Sequence, residues 1–305
     1  MGIPYSTNIA AALDKHLRIR VGNSGGVTDW KYIEDVRIKN SGTWEDTKEV
    51  YIRHNGTWHL VHEGEHFLFN HQLDTNAENE FDLASWISGQ GYSGNKIKGA
   101  LIINNFQQRV NLGNFSSDSK VYLRINSNKR ISGRGGNGGN AGQGGASNGQ
   151  NGQRALYTRT PFIIDNGGII AGGGGGGAGG RNGTITQTIQ ETNNCMKGNQ
   201  CTNTYDVTNN TNGGGGGGGA GYPGGSNGGN GAQNGQSNGG GQGGNSGAGS
   251  ARNGGNGGGL GQNGSNAENN QGGTRGTAGN AIDGWSYRLS GEGSGNGDRR
   301  GNSVN

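Results

Sequence analysis

Two short motifs in this chain spell out recognisable chemistry. His62-Glu63-Gly64-Glu65-His66 matches H-E-x-x-H, a pattern in which two histidines on one helix face hold zinc and the glutamate serves as the base of a hydrolase. That chemistry needs a helix. Here the preceding WHLV reads as strand, Gly64 sits at the centre and the following FLF favours β structure, so no zinc site is expected. GQGYSG at 89–94 spells G-x-G-x-x-G, a dinucleotide fingerprint only where a strand precedes it and a helix follows. FDLASWIS is not a convincing strand, and NKIKGALII reads as strand rather than helix. Cys195 and Cys201 lie more than 120 residues beyond the last histidine, His71, so no Cys/His or Ser/His/Asp arrangement suggests a nucleophile. Neither an enzyme nor a cofactor is expected.

The elements around these motifs fall into two regions. Of 72 glycines in 305 residues, residues 1–132 hold 12 and the remainder hold 60, while four of the five tryptophans and all six histidines lie in the first part. Such a glycine content is collagen-like in amount, but the chain has only three prolines. The expected organisation is a β-rich domain over 1–130 and a glycine-rich domain over 131–305. Charge is nearly balanced in both, and asparagine rather than arginine accompanies the glycine, which argues against nucleic acid. No apolar run reaches the ~20 residues of a membrane span, and no secretory signal is read at the start.

In the first region, strands are expected at 17–21, 35–39, 50–54, 58–62, 97–103 and 120–125, with a short helix over Asn8–His16 capped by Ser6 or Thr7. Trp30, Trp44 and Trp58 recur at 14-residue spacing, the last two after Asn-Ser-Gly and Asn-Gly turn residues. They are either core residues of a small meander or the anchors of three similar hairpins, which would suit the end of a three-fold symmetric partner.

In the second region glycine recurs every third residue at 133–145, 225–231, 241–247 and 255–264, broken by phase slips. Three residues per turn is the repeat of a polyproline-II-like helix rising ~3.1 Å per residue. With no side-chain core, such helices would be held by backbone hydrogen bonds, each a net ~0.5–1.5 kcal/mol against an ordering entropy of similar size. Uninterrupted glycine at 172–177 and 213–219 suits helices surrounded on all sides; Gly-Gly-Asn triplets suit outer ones. The two segments that lead into glycine also match, Ile131-Ser132-Gly133 against Ile170-Ala171-Gly172.

A small β region, the lead-in SGRGGNGG, the second lead-in IIDNGGIIAGGGGGG and glycine motifs separated by dissimilar segments together resemble the distal long-tail-fibre adhesins of T-even-type bacteriophages. The resemblance implies a β-rich attachment domain that caps the trimeric distal fibre, one copy per tip, and the repeated Trp30, Trp44 and Trp58 are its candidate fibre contacts. It also implies a layered sandwich of polyglycine-II helices whose distal segments bind an outer-membrane protein, commonly a porin, of a Gram-negative host. The chain would be made in the host cytoplasm and carried on the virion. A structural or ice-binding polyglycine-II protein is the alternative.

If both glycine lead-ins start at the attachment side, the segment 181–212 lies at the far tip. Ile189, Met196, Gln200 and Tyr205 are its candidate receptor contacts, and Cys195 and Cys201 form either a disulfide or two free thiols. Trp285 and Tyr287 in AIDGWSYRLS are further candidates, placed by counting helices at the attachment end and by one miscounted helix at the tip.

Overall fold

The computed structural model describes residues 66–142, 146–195, 200–290 and 297–305, together with the backbone of six strands between residues 18 and 63. These six form three separate antiparallel pairs: β1 (Arg18–Gly22) with β2 (Thr28–Tyr32), β3 (Arg37–Asn40) with β4 (Thr43–Asp46), and β5 (Glu49–His54) with β6 (Thr57–Glu63). The tryptophan repeat is therefore a repeat of hairpins. In backbone register Trp30 lies opposite Arg20, Trp44 opposite Lys39 and Trp58 opposite Arg53. His62 and Glu63 close β6 in extended conformation, so the helix required by the zinc motif does not form there. The helix expected at 8–16 lies outside the described residues.

From residue 67 onward the strands coil. β7 (Phe67–Leu73) and β8 (Phe81–Asp82) make a first turn, followed by the helix α1 (Leu83–Gly89). The next turn is β9 (Ile97–Ile103), β10 (Phe106–Gln108) and β11 (Val110–Asn111); the third is β12 (Lys120–Ile125), β13 (Arg130–Ser132) and β14 (Leu156–Tyr157). The fourth begins with β15 (Phe162–Asn166) and β16 (Ile169–Ala171), leaves for the long hairpin β17 (Gly183–Asn194) and β18 (Gln200–Thr211), and resumes at β19 (Ile282–Asp283). A last turn carries β20 (Asp298–Arg300) and β21 (Ser303–Val304). Strands stack in parallel into three sheets, ordered β15-β12-β9-β7, β20-β16-β13-β10 and β21-β19-β14-β11-β8. The three middle turns visit all three sheets in the same order, and single bridges, Ala77↔Gln107 and Phe162↔Arg288, stand for the strand missing from the first and last turns, which gives a three-faced parallel β-solenoid.

Like residues stack from turn to turn. Leu101, Leu123 and Ile164 share one register position, and Val110, Leu156 and Ile282 share another. All but the slightly exposed Ile164 are sealed from solvent. Alternation of lysine, tyrosine and arginine with valine, leucine and isoleucine in β12 follows directly: Val121, Leu123 and Ile125 point in. α1 closes the β8 side, with Asp82 accepting from the Ser85 N–H at 2.7 Å and Leu83 and Ile87 buried one helical turn apart. The residues GQGYSG end this helix and lead into β9, where a phosphate-binding turn would require a helix to begin. The boundary expected at 130/131 falls inside β13, and Ile131, Leu156 and Ile282 share one core with Phe69 and Leu101. The change in composition is not a break in packing.

The two matched lead-ins sit side by side in this solenoid. β13 pairs in parallel with β16, placing Ile131 opposite Ile170 and Ser132 opposite Ala171. From here the chain leaves the solenoid twice, once between β13 and β14 and once between β16 and β19. Among the described residues these excursions contain a series of extended runs that alternate outward and back, linked by hydrogen bonds at three-residue spacing. The run at 172–180 is central. Its N–H groups at 173, 176 and 179 donate to carbonyls at 153, 150 and 147, while those at 174, 177 and 180 donate to 220, 217 and 214. Those of Gly175 and Ala178 donate to Gln262 and Ser265. Its carbonyls in turn accept from runs at 133–139, 252–261 and 273–279. Six neighbours therefore surround this one run, and every residue from 171 to 180 is buried. The other uninterrupted run, 213–221, is equally buried and likewise bonded on all sides.

Glycine is required here because the neighbours are backbone. A Cβ added at Gly176 would lie 1.9 Å from the Asn137 carbonyl oxygen, and one at Gly177 would lie 1.9 Å from that of Gly255. On the outer runs a different residue supplies what is missing. The Asn148 and Asn151 side-chain carbonyls accept the N–H groups of Thr274 and Thr277, each at 2.8 Å. Asn263 and Asn266 serve Ala278 and Arg275 in the same way. An outward N–H that has no backbone neighbour is thus taken by an asparagine on the adjoining run, which gives the Gly-Gly-Asn triplet a physical reason.

Candidate functional site

The structure places the segment 181–212 at the far end of the outgoing run 172–180, away from the solenoid. The runs starting at Gly133 and Gly172 travel in parallel, since the N–H groups of 133, 136 and 139 donate to carbonyls of 171, 174 and 177. At the end of the second run β17 and β18 form a two-stranded ribbon of twelve residues a side, in unbroken register from Gly183↔Thr211 to Asn194↔Gln200. Strand structure at 184–189 agrees with the alternation of TITQTI. Its partner strand was legible in the same way, because CTNTYDVT at 201–208 also alternates, with threonine at 202, 204 and 208.

This alternation gives the ribbon two unlike faces. One carries Thr184, Thr186, Thr188, Gln190 and Thr192 opposite Asn210, Thr208, Asp206, Thr204 and Thr202. Across it, the Thr186 and Thr208 hydroxyls are 3.0 Å apart, and Thr188 donates to Asp206 at 2.7 Å. The other face carries Ile185, Ile189, Tyr205 and Val207, with Ile189 directly opposite Tyr205. Ile189 is 37% and Tyr205 41% exposed, two of the four large hydrophobic side chains exposed to this degree among the described residues. The Tyr205 phenol donates to the Glu191 carboxylate. That bond holds its proton and raises its pKa above the ordinary tyrosine value, with a smaller contribution from lost solvation.

Cys195 and Cys201 are joined by a disulfide at the ribbon's end, their Cα atoms 5.9 Å apart. Gln200 opens β18 and is exposed. Met196 lies outside the described residues. At the ribbon's base, Ser250 donates its N–H to the Thr184 carbonyl at 3.0 Å, and Gly247 donates to that of Asn212 at 2.8 Å.

Trp285 and Tyr287 are not with these residues. They occupy a single turn after β19, on the solenoid, at the opposite end of the glycine runs. Trp285 packs against the solenoid core and is flanked by the guanidinium groups of Arg299 and Arg288, 4.6 and 5.1 Å from its ring centroid. Arg159 lies 5.9 Å from the Tyr287 ring and pairs with Asp283 at 2.9 Å. Of the two placements considered from the sequence, the structure shows the one away from the ribbon, on the solenoid. Among the described residues, no group of three or more His, Cys, Asp or Glu could hold a metal ion, and no helix is long and apolar enough to cross a membrane.

A solenoid anchors a backbone-built scaffold, and the scaffold carries an exposed ribbon at its far end. The model of the phage tail fibre adhesin Gp38 family matches residues 68–304, spanning the solenoid from its first strand to its last. The chain belongs to that family of phage tail fibre adhesins, and so to the virion. No curated protein and no solved structure matches it.

Proposed function

We propose that this adhesin forms the tip of a long tail fibre, where it caps the trimeric distal fibre protein and binds an outer-membrane protein, of porin type, on a Gram-negative host. The observation that carries the reading is the exposed ribbon: two large apolar side chains displayed at the end of a scaffold with no other visible use for them. Its role is adhesive rather than enzymatic. Ile189, Gln200 and Tyr205, with Met196, are the receptor contacts, and Trp30, Trp44 and Trp58 on three successive hairpins are the fibre contacts. The glycine runs act as packed polyglycine-II helices. Support for that assignment is the three-residue spacing of their hydrogen bonds and the six neighbours around run 172–180. One copy per tip is assembled after synthesis in the host cytoplasm.

Deletion of Thr184–Asn210 tests this reading. Phage carrying the shortened chain should assemble and yet lose adsorption to a strain that the unaltered particle adsorbs to. Undiminished adsorption would remove the ribbon from receptor recognition.

A further inference from the structure

The backbone of the ribbon, and not only its side chains, is arranged to bind. In an antiparallel pair, residues alternate between those that bond across the ladder and those whose N–H and C=O point outward. Thr184 belongs to the second kind, because its carbonyl accepts from the Ser250 N–H and its N–H donates to Ser250 Oγ at 2.8 Å. The register has no shift, so Thr186, Thr188, Gln190 and Thr192 also turn their backbone outward along the β17 edge. Among the described residues, none of these four has a backbone partner on that side.

Proteins ordinarily protect such an edge with lysine, proline, a bulge or a covering segment. This ribbon has none of them. Its two strands contain no Lys, Arg or Pro, and their pairing is regular from end to end. The β17 edge is rich in β-branched threonine, and its one charge, Glu191, falls between the outward-turned residues with its carboxylate bonded to the Tyr205 phenol; the β18 edge carries Asp206. Only at the base, where Ser250 adds itself to Thr184, is a third segment in place.

We propose that the receptor enters as a third strand: an extended segment of the partner polypeptide pairs with the β17 edge from Thr186 to Thr192. Four outward residues offer four donors and four acceptors, enough to take a segment of about seven residues by main-chain bonds. Specificity then comes from the two faces. Side chains of the added strand alternate between the face of Ile185, Ile189, Tyr205 and Val207 and the threonine face, so the segment selected is one that alternates apolar with small polar residues.

This inference rests on the ribbon being the receptor contact, and the experiment separates the two. Adsorption is measured to a strain that the unaltered particle adsorbs to, using phage carrying Thr188→Pro, Thr204→Pro on the other edge, or the deletion of Thr184–Asn210. Thr188→Pro removes an outward N–H while sparing the ladder, and should slow adsorption at least tenfold. Thr204→Pro, which removes an outward N–H from the opposite edge, should adsorb at the unaltered rate. Should hydrogen exchange at Gln187 and Ile189 show that proline has opened the ribbon, Gln190→Lys decides, with the same tenfold loss expected. If the deletion abolishes adsorption while Thr188→Pro and Gln190→Lys leave it intact, the strand-addition mode is wrong and the receptor reading stands; if the deletion has no effect, both fall. Sedimentation of the purified chain as a dimer that Thr188→Pro dissociates would assign the edge to a second copy and overturn the proposal.

Discussion

At the scale of single residues, the glycine lattice makes a sharp distinction between positions that composition treats alike. Gly176 is surrounded by backbone, with the Asn137 oxygen 1.9 Å from where a Cβ would stand, while Gly239 has nothing within 4 Å. Gly176→Ala should therefore cost at least about 3 kcal/mol, because neither neighbour can yield without shifting its own bonds. Gly239→Ala should be neutral or stabilising by up to about 1 kcal/mol through the unfolded chain. Denaturant unfolding of the two variants checks this. His71 supplies a second residue-scale expectation. It stacks on Trp86 at 4.2 Å and on Phe81 at 5.4 Å, and burial lowers its pKa despite the opposing effect of Asp74. Its neutral form is thus favoured by folding, and the unfolded chain binds the proton more readily. Stability should be unaffected above the ordinary histidine pKa of about 6.5 and fall as pH drops below it. His71→Gln should flatten that slope in melting temperatures taken between about pH 7.5 and 5.

At the scale of elements, the ribbon and the runs are stabilised by opposite means. β17 and β18 have no core behind them, and an isolated two-stranded ribbon is marginal in water. Cross-strand bonds of Thr186 with Thr208 and Thr188 with Asp206, and the disulfide at the end, supply what burial does not. Replacing both Cys195 and Cys201 by serine should release about 2 kcal/mol of loop constraint. Ribbon amides would then exchange up to roughly thirtyfold faster, with the melting temperature of the scaffold unchanged because the ribbon contributes nothing to its core. Strands at 97–103 and 120–125 were readable from sequence because each is long enough to alternate or to run apolar. β14 and β19, two residues each, were not. Nothing local marks Leu156-Tyr157 or Ile282-Asp283 as strand; the neighbours that pair with them are brought there by the coil.

At the scale of the whole molecule, one core joins regions that composition separates. Amide exchange should show this as a single protected body, with slow exchange in the solenoid strands and in runs 172–180 and 213–221, and fast exchange at the outward amides of the ribbon. Rapid exchange throughout the runs would contradict the bonding pattern described above. Leu123, sealed in the middle of the stack, should take both halves with it: Leu123→Ala is expected to cost about 2–5 kcal/mol and to lower the melting of solenoid and runs together. By itself the sequence determined the three-residue phase of the glycine runs, the distinction between fully and partly surrounded ones, the hairpin repeat and the kinship of Ile131-Ser132-Gly133 with Ile170-Ala171-Gly172. All of these depend on spacing within one segment or on likeness between two. Only the tertiary structure decided that those two segments are adjacent rungs of a parallel solenoid, that Trp285 and the ribbon lie at opposite ends, and that asparagine amides complete the outer lattice. The reason is sequence distance: β16 and β19 belong to one turn of the coil, yet more than a hundred residues separate them, and no local pattern records a pairing that spans such an excursion.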